Sequence, residues 1–315
     1  MNVLIIGGTR FQGRYLVKEL LDSGHFVTVF HRGTHGIEPH ERLVDLIGDR
    51  NAAESLTQLL GQKFDACVDT CAYFPDQVSL LSRFINTPHY CLISSVYAYV
   101  DQNKVLNEHS PLLPAISAGE VTLENYGALK ASCEKEAIVQ FGRTSLILRP
   151  SIIVGRGDHT SRLMFWMRLI GKHKKHLNIK NGKKIIQPVD VRDMARFTTR
   201  CIETKKQGAA NVCGIPISLS AFLNLIEIIS CNTCEHKSFR MEYLEEQGIK
   251  NLPYYDSFHN AQHANTLSLS WGYKIRDLKD SLSEIYNHSK QNGFITHRFQ
   301  QVETAVLDLF SSTKT

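Results

Sequence analysis

A tyrosine and a lysine four residues apart, Tyr126 and Lys130 in ENYGALKASCEKEA, are the pair best suited to acid–base chemistry. On a helix this spacing puts both side chains on one face. A free phenol has a pKa of about 10 and is a poor base at neutral pH, but an adjacent ammonium group favours the phenolate. The pair could therefore move the proton of an alcohol while a hydride passes to or from a nicotinamide.

The same spacing recurs in YNHSK, at Tyr286 and Lys290, so spacing alone does not identify the pair. Only Tyr126 follows a segment typical of a buried strand, CLISSVYAY, which carries Ser94 and Ser95 near its end. This context favours Tyr126 as the acid–base residue. The alternative is that Tyr126 is an ordinary residue of an amphipathic surface.

A glycine turn follows the apolar run at the start of the chain, in VLIIGGTRFQGRYL, residues 3–16. In a dinucleotide fold such glycines let the backbone bend tightly and approach the pyrophosphate, which the next helix stabilises with its free N–H groups. Gly7, Gly8 and Gly13 are present, and Arg10 occupies the middle position. The context predicts a nucleotide site, the alternative being a structural turn with no ligand.

The end of the second strand, VTVFHRG, bears on the choice between NADP and NAD. NAD-preferring folds tend to place Asp or Glu there to bind the ribose 2′-hydroxyl. This chain instead has His31 and Arg32, and a 2′-phosphate would find the guanidinium groups of Arg10 and Arg32. NADP is therefore favoured over NAD, unless the two arginines face solvent.

Short β-branched runs alternate with helical patterns over the first 150 residues. This alternation predicts an α/β fold with a Rossmann-type doubly wound parallel sheet, covered by helices on both faces and binding ligands at the carboxyl ends of its strands. The predicted strands are Asn2–Gly7, Phe26–His31, Leu43–Ile47, Ala66–Thr70, Tyr90–Ser94 and Ser145–Leu148. The helical patterns between them include Phe11–Ser23 and Gln77–Ile85.

The pattern loosens after Pro150, which predicts a smaller, interwoven C-terminal substrate lobe. We expect a dinucleotide-binding domain over residues 1–158, joined by 185–205, and a mainly substrate-side lobe over 159–315. Further helices are predicted around Ser218–Ile229 and Asp277–Ser289.

The composition is that of an ordinary globular chain, with 315 residues, 43% hydrophobic content and a formal net charge of +5. This charge is too small for a dedicated nucleic-acid binder, although it would suit an anionic small ligand. No segment approaches the roughly 18 apolar residues of a membrane span, and the run Val3–Ile6 is too short for a signal peptide. We therefore expect a cytoplasmic protein without membrane contact.

The eight cysteines are scattered, and five of them lie in predicted strands or helices, which indicates buried thiols rather than a disulfide framework. One CxxC pair, Cys231 and Cys234, lies near His236. A zinc site of that type needs a second ligand pair at matching spacing, and none is evident. No metal site is expected.

Several polar or aromatic residues beyond Pro150 have structural interpretations. Asp190 and Asp193 in PVDVRDMARF are expected to cap a helix. The basic stretch GKHKKHLNIKNGKK, residues 171–184, is expected to be a solvated loop, with attraction of a substrate phosphate or RNA as the alternative. Trp166 and Arg168 could face substrate or close the core.

Taken together, the glycine turn, ISSVYAY, YGALK and LRPSIIVGRGD resemble the extended short-chain dehydrogenase/reductase superfamily, in its NAD(P)-dependent epimerase/dehydratase group. The form GGTRFQG resembles a subgroup that includes chloroplast stem-loop RNA-binding proteins. The similarity covers roughly residues 1 to 205.

This resemblance implies roles for individual residues. Ser95, four residues before Tyr99, would orient the substrate oxygen, with Ser94 as the fallback; Tyr126 would be the acid/base, and Lys130 would lower its pKa and hold the nicotinamide ribose. Asp49 and Arg50 match the position that borders adenine, the loop Thr70–Ala72 would pass over the cofactor, and Pro150 to Ile153 would lie against the nicotinamide amide. With the glycine turn and the second strand, the residues expected at the cofactor are Gly7, Thr9, Arg10, Phe11, Gln12, Gly13, His31, Arg32, Asp49, Arg50, Thr70, Cys71, Ala72, Ser94, Pro150, Ile152 and Ile153.

Two departures from the family pattern narrow the expected function. The sugar 4,6-dehydratases have an acidic pair after the catalytic hydroxyl residue, where this chain has Val96 and Tyr97, which argues against dehydration. Arg10 and the missing acid after strand two differ from typical NAD-retaining sugar epimerases. The expectation is an oxidoreductase or epimerase acting on a hydroxyl or keto group of a nucleotide-linked sugar. A homodimer is compatible with this expectation. The alternative is an RNA-binding or regulatory protein on a retained nucleotide-binding fold.

Overall fold

The computed structural model describes residues 1–100, 104–142, 144–180, 184–255, 262–295 and 297–311. Its strands are β1 (Asn2–Ile6), β2 (Phe26–His31), β3 (Leu43–Ile47), β4 (Ala66–Asp69), β5 (Tyr90–Ile93), β6 (Val105–Leu106), β7 (Leu146–Pro150), β8 (Ile153–Val154), β9 (Lys175–Lys180), β10 (Ile185–Ile186), β11 (Val189–Asp190), β12 (Gly208–Val212), β13 (Ile217–Ser218), β14 (Glu235–Arg240) and β15 (Gln262–His263). The helices are α1 (Phe11–Asp22), α2 (Ala53–Leu56), α3 (Pro75–Ser82), α4 (Tyr126–Phe141), α5 (Arg162–Gly171), α6 (Val191–Glu203), α7 (Leu219–Ser230), α8 (Met241–Glu246), α9 (Thr266–Ser270), α10 (Leu278–Asn292) and α11 (Gln300–Ser311). Three short 3₁₀ turns cover Thr57–Leu59, Val96–Ala98 and His297–Phe299.

A seven-stranded parallel sheet in the order β12-β7-β5-β4-β1-β2-β3 forms the centre of the chain's first unit. In its middle, Val3 pairs with Val27 of β2 on one side and with Ala66 of β4 on the other. The order runs outward in both directions from β1, which is the doubly wound arrangement. The predicted Rossmann-type fold is confirmed.

Alternate residues of each strand point to opposite faces of the sheet, and each face is covered by helices. Val3 and Ile5 belong to the cluster that α1 and α6 cover, whereas Leu4 and Ile6 belong to the cluster that α3 and α4 cover. All four side chains are at most 1% exposed. Burying an aliphatic side chain of this size stabilises the fold by roughly 1.5–3 kcal/mol, so the near-continuous apolar strands hold the sheet between its two helical layers.

The seventh strand, β12, has the sequence GAANV and was not among the predicted strands. Its small and polar residues give little periodic signal, yet its last three residues are buried and it pairs with β7 in parallel. This first unit consists of Met1–Ile153, Val189–Gly214 and His263–Ile275. Residues 206–214 include β12, and in the stretch 263–275 Tyr273 packs on Phe197 of α6 at a ring-centroid distance of 5.1 Å.

The second unit consists of Val154–Pro188, Ile215–Gln262 and Arg276–Thr315. It contains a parallel strand pair, β9 with β14, and an antiparallel pair, β10 with β13. The middle of the basic stretch, Lys175–Lys180, therefore forms β9 instead of the expected solvated loop, with His176 and Leu177 buried and Lys180 exposed. Residues 181–183 of that stretch lie outside the described residues.

Several sequence-based expectations can be compared with individual residues. Asp190 caps α6 as predicted, since its side chain accepts a hydrogen bond from the N–H of Arg192 at 2.8 Å, and Asp193 lies in the first turn of the same helix. The predicted burial of thiols is confirmed for Cys67, Cys91, Cys133 and Cys201, and Cys71 is partly buried. Within the described part of the chain, no helix has the length and apolar character to cross a membrane.

Candidate active site

The glycine turn between β1 and α1 has a backbone that larger residues could not adopt. Gly7 and Gly8 have φ angles of 99° and 88°, in the region that favours glycine. A Cβ atom on Gly8 would lie 2.7 Å from Cγ1 of Val29, and one on Gly13 would lie 2.7 Å from Cα of Gly8. The three glycines therefore allow the turn to pack closely against the side chains of the sheet and against the start of α1.

The first turn of α1 is left open to an anion. Its N-cap, Arg10, has an extended backbone with φ −129° and makes no side-chain capping hydrogen bond, and the first turn contains no acidic residue. The N–H groups at the start of a helix and the positive end of its dipole favour a negative group at this place. Within the described residues, the buried Oε1 atom of Gln12 in this turn also has no hydrogen-bond partner.

The loop after β4 lies against the glycine turn. The hydroxyl of Thr70 donates to the carbonyl oxygen of Ile6 at 2.8 Å, and a Cβ atom on Gly7 would lie 2.4 Å from Thr70 Oγ1. Cys71 and Ala72 continue the loop toward α3. Two segments predicted to contact a cofactor, the glycine turn and Thr70–Ala72, are thus brought together at the carboxyl ends of β1 and β4.

A buried ion pair supports that loop. Arg50 donates from Nη1 and Nη2 to the two carboxylate oxygens of Asp69, at 2.7 and 2.8 Å. Asp69 is fully buried and also accepts from the hydroxyl of Tyr90 and the N–H of Cys71. Burial acts to raise the pKa of Asp69, but the charge and hydrogen bonds of Arg50 outweigh it and hold the pKa below its usual value.

This pair changes the expected role of the segment Asp49–Arg50. The guanidinium of Arg50 is held by Asp69 and is 6% exposed, so its charge is used inside the protein. Asp49 is exposed, and its Oδ1 accepts hydrogen bonds from the backbone and side chain of Asn51 at 2.9 Å. Of the two residues expected to border adenine, only Asp49 has its charged group exposed to solvent, whereas the charged group of Arg50 is buried.

At the end of β2 the imidazole of His31 is also engaged internally. Its Nδ1 accepts from the N–H of Gly33 at 3.0 Å, and its Nε2 lies 2.5 Å from Oδ1 of Asp45. Arg10 and Arg32 are exposed, and neither guanidinium forms an ion pair with another described residue. Any contact of this region with a 2′-phosphate would therefore come from the arginines.

Lys130 is buried at the edge of the sheet, where β5 ends. Its ammonium donates to the carbonyl oxygen of Ile93 at 2.7 Å and to that of Ala72 at 2.9 Å. Burial acts to lower the pKa of Lys130, but the neighbouring acidic groups, with the phenol of Tyr126 the strongest, raise it on balance above its usual value. Lys130 is thus a fixed cation next to Tyr126.

Tyr126 is the first residue of α4 and lies between two other aromatic rings. The ring centroids of Tyr73 and Tyr97 are 6.4 and 6.2 Å from that of Tyr126. The next residue, Gly127, allows α4 to approach the turn after β5, because a Cβ atom there would lie 2.0 Å from the carbonyl oxygen of Tyr97. The sequence analysis did not single out Gly127, although a small residue directly after the tyrosine was the available signal.

The two serines after β5 differ in what their hydroxyl groups do. Ser94 donates to Oε1 of Glu134 at 2.5 Å and is 3% exposed. Ser95 accepts a hydrogen bond from the N–H of Tyr97 at 3.2 Å, which leaves its own proton able to donate. Ser95 is therefore the serine with a hydroxyl proton available for another oxygen.

A buried polar network extends behind these serines. Glu134 pairs with Arg149, whose Nη2 lies 2.6 Å from Glu134 Oε2, and Nη1 of Arg149 donates to the hydroxyl of Tyr99 at 2.6 Å. Tyr99 in turn donates to Oδ1 of Asn211 at 2.7 Å. Burial raises the pKa of Tyr99 to about 12, so its hydroxyl stays protonated. The network fixes the base of the serine segment and was not predicted from the sequence.

The segment from Pro150 to Ile153 begins with the last residue of β7 and ends with the first residue of β8, so it leaves the same edge of the sheet as the serines do. Pro150 is buried, and Ile152 and Ile153 are partly exposed. The carbonyl oxygen of Ile152 accepts from the N–H of Val189 at 2.8 Å.

Other residues considered as functional have structural roles in the second unit. Trp166 is fully buried, and its indole N–H donates to the carbonyl oxygen of Pro253 at 3.0 Å. Arg168 pairs with Glu303 at 2.6 Å. Tyr286, of the second tyrosine–lysine match, is 4% exposed and packs on Gly171, where a Cβ atom would lie 2.4 Å from its ring.

Three features thus lie at the carboxyl edge of the parallel sheet in the first unit. They are the glycine turn, which could receive an anion, the hydroxyl of Ser95, which can still donate a hydrogen bond, and the phenol of Tyr126 near the ammonium of Lys130. A phenol next to an ammonium can exchange a proton with an alcohol, and the serine can hold the oxygen of that alcohol. The arrangement suits proton transfer at an alcohol or carbonyl group beside a phosphate-bearing ligand.

Comparison with known proteins supports the fold. No family model matches the chain. A curated 3-beta-hydroxysteroid dehydrogenase from Mycolicibacterium neoaurum is 27% identical over 213 residues, which is 58% of this chain and 56% of that protein. The chain therefore aligns with little more than half the length of this relative.

Two solved structures are similar over nearly the whole chain. The enzyme WbmH from Bordetella bronchiseptica, solved with NAD+, has a TM-score of 0.73 at 17% identity, with 93% of this chain and 99% of that chain covered. The UDP-glucose 4-epimerase of Thermotoga maritima, solved with UDP-glucose, has a TM-score of 0.71 at 16% identity, with the same coverage. The chain has the same Rossmann-type α/β fold as these two structures.

Proposed function

We propose that this protein is an NAD(P)-dependent oxidoreductase or epimerase that acts on a hydroxyl or keto group of a nucleotide-linked sugar. One observation carries this proposal, namely that the buried ammonium of Lys130 is fixed beside Tyr126 at the sheet edge where the glycine turn also lies. This placement supports an acid–base pair beside a bound cofactor.

The residues present fit a dinucleotide. The glycine turn allows close approach of the pyrophosphate, and the uncapped start of α1 provides N–H donors for it. Asp49 and Thr70–Ala72 would flank the adenosine and the phosphates, and Pro150 to Ile153 would lie against the nicotinamide. Exposed Arg10 and Arg32 favour the 2′-phosphate of NADP over NAD.

In the proposed mechanism Ser95 donates a hydrogen bond to the reacting oxygen of the substrate and holds it near the phenol of Tyr126. During oxidation the phenolate of Tyr126 takes the hydroxyl proton, and during reduction the phenol returns it. Lys130 keeps a positive charge beside the phenol in both directions. A bound nicotinamide would supply the hydride acceptor or donor for the carbon that carries this oxygen.

The substrate class rests on two supports. The similar structures from Bordetella and Thermotoga were solved with NAD+ and with UDP-glucose, so the fold accommodates a dinucleotide and a nucleotide sugar in those proteins. Val96 and Tyr97 follow Ser95 in this chain, and neither carries a carboxylate for elimination of water. We therefore favour oxidation, reduction or epimerisation over dehydration. A cytoplasmic location, a homodimer and kinship with the GGTRF subgroup stay predictions from the sequence.

The test is a thermal-shift screen of the full chain with NADP(H), NAD(H), UDP- and dTDP-sugars, a 3β-hydroxysteroid and a stem-loop RNA. We expect stabilisation by NADP(H), a further rise in melting temperature with one nucleotide sugar, and cofactor-dependent conversion of that sugar. Turnover without net change of the cofactor would identify an epimerase, and net oxidation or reduction would identify a dehydrogenase or reductase. Cofactor binding with a steroid effect alone would overturn the sugar assignment, and RNA binding without any cofactor effect would overturn the enzyme.

A further inference from the structure

Two histidines of the second unit lie side by side on neighbouring strands. In the parallel pair of β9 and β14, His176 is the register partner of His236. Their rings are stacked, with centroids 4.5 Å apart and an interplanar angle of 23°. Strand pairing therefore fixes two imidazoles on the same face of a small sheet.

A carboxylate from a third element faces both rings. Glu227 projects from α7, its Oε1 lies 3.1 Å from Nε2 of His236, and its Oε2 contacts Nδ1 of His176. The two ring nitrogens and the carboxylate oxygen lie within 4.8 Å of one another. The N–H of Cys234 also donates to Glu227 at 3.3 Å, which helps to fix the carboxylate.

The burial of the three side chains decreases from one side of the cluster to the other. The His176 side chain is fully buried, that of Glu227 is 18% exposed, and that of His236 is 47% exposed. The buried Nε2 of His176 has no hydrogen-bond partner among the described residues. The cluster is thus anchored on its inner side and reachable from solvent at His236.

Two imidazoles and one carboxylate form a ligand set that zinc uses in sites with three protein ligands and one open position. Ligand atoms at 2.0–2.1 Å from a tetrahedral zinc ion lie about 3.3 Å from one another. The distance of 3.1 Å between Nε2 of His236 and Oε1 of Glu227 is close to this value. All three ligand atoms lie within 4.8 Å of one another, which is near the spacing that one ion requires. The hydrogen bonds seen here would then be replaced by metal–ligand bonds.

We propose that His176, Glu227 and His236 bind a divalent transition-metal ion of the zinc type, with water in the remaining position. The ion would join α7, β9 and β14 and so stabilise the second unit. Cys231 and Cys234 are not part of this site, because their thiols contact the carbonyl oxygens of Ile228, Ile229 and Ile170. The expectation of no metal considered only the CxxC motif, and the distant His176 gave no spacing signal.

The test uses the full chain without a histidine tag, stripped with EDTA and dialysed, and titrated with ZnCl₂ in a calorimeter and in a thermal-shift assay. We expect one zinc ion per chain and a higher melting temperature. His236→Ala, on the exposed side, and Glu227→Gln should each lower zinc affinity by at least about tenfold, in line with the sensitivity of metal sites to their ligand shells. Mg²⁺ should have no effect, because it prefers oxygen ligands.

Two control variants separate this site from other zinc-binding groups. His173→Ala removes a histidine of the same unit that pairs with Glu303 at 2.9 Å, and Cys231→Ser removes the exposed thiol of the CxxC pair. Both should keep the zinc affinity and the zinc-induced rise of the melting temperature. The proposal would be overturned if the original chain did not bind zinc, or if His236→Ala and Glu227→Gln bound zinc as tightly as the original chain does. Loss of zinc binding in Cys231→Ser alone would also overturn it.

Discussion

The Nζ atom of Lys130 lies 2.7 Å from the carbonyl oxygen of Ile93, the last residue of β5. A second hydrogen bond joins the same atom to the carbonyl oxygen of Ala72. Because an ammonium group has three N–H donors, these two contacts leave one donor for a hydroxyl group beside it. The lysine thus ties α4 to the sheet edge and remains able to act on Tyr126 or a bound ribose.

Replacing Tyr126 with phenylalanine should remove turnover while leaving cofactor binding intact. The variant lacks the proton donor and acceptor but keeps the ring and the glycine turn, so we expect kcat to fall about 10²–10⁴-fold. Steady-state kinetics on the sugar found in the screen and a fluorescence titration with NADPH measure the two effects. Tyr286→Phe is the matched control, since it belongs to the other tyrosine–lysine match, and activity close to the original in Tyr126→Phe would refute the assignment.

Gly13→Ala should weaken cofactor binding strongly. The added methyl group would lie 2.7 Å from Cα of Gly8, so the turn and the first turn of α1 must move apart. We expect at least about a tenfold rise in the Kd for NADPH, which is a free-energy change of about 1.4 kcal/mol. Gly36→Ala is the control, because a Cβ atom there meets nothing within 4 Å. An unchanged Kd in Gly13→Ala would argue against a dinucleotide in this turn.

Arg32→Asp should shift the preference from NADP toward NAD. The change removes a guanidinium that would pair with a 2′-phosphate and adds a carboxylate that can accept from a 2′-hydroxyl. The ratio of the Kd for NADP to the Kd for NAD, measured by the same titration, should rise. Charge reversal at the exposed Arg83 should not change this ratio. An unchanged ratio would count against the role of Arg32 and would leave Arg10 to be tested in the same way.

The free energy of unfolding should fall as the pH decreases below about 4, partly through Asp69. Its pKa in the folded protein lies below the value in an unfolded chain, about 3.9, so its stabilising contribution is present above that value. As the pH falls through the lower folded-state pKa, the carboxylate is protonated and the contribution is lost. Urea unfolding at a series of pH values measures this slope.

Asp69→Asn provides the comparison for that measurement. At neutral pH it should destabilise the protein by about 3–5 kcal/mol, because the buried Arg50 loses its partner. Its remaining stability should depend less on pH between 4 and 2 than that of the original chain. Asp22→Asn, which breaks an exposed pair with Lys18, should have little effect on either quantity. Equal pH slopes for Asp69→Asn and the original chain would show that Asp69 does not contribute.

The sequence predicted the parts of the fold whose apolar patterns are long or repeated. Phe26–His31 and Leu43–Ile47 have the predicted bounds, and the alternation of strands and helices was sufficient for the doubly wound sheet. The strand Gly208–Val212 was not predicted, because alanine, glycine and asparagine give little hydrophobic signal. It is identified only by its pairing with β7.

The sequence was less informative about contacts that depend on tertiary distance. It indicated Lys130 by its spacing from Tyr126, but the partners of Lys130 are backbone carbonyl groups, which no residue type identifies. Arg50 was assigned to the adenine border, whereas its charge is matched by Asp69, a residue nineteen positions further on. Neither the ion pair of Arg50 with Asp69 nor that of Glu134 with Arg149 could be predicted, because the partners are far apart in the sequence.

The sheet unit draws on three separate stretches of the chain, and the last of them, His263–Ile275, supplies Tyr273 to its core. During synthesis the earlier stretches leave the ribosome without this contact, and Asn211 lacks the carbonyl oxygen of Ala264 that its side chain binds. Domains generally fold as units as they are made, but this one is completed only after residue 275 has emerged. A nascent chain halted before that residue would expose part of its apolar interior and depend on chaperones.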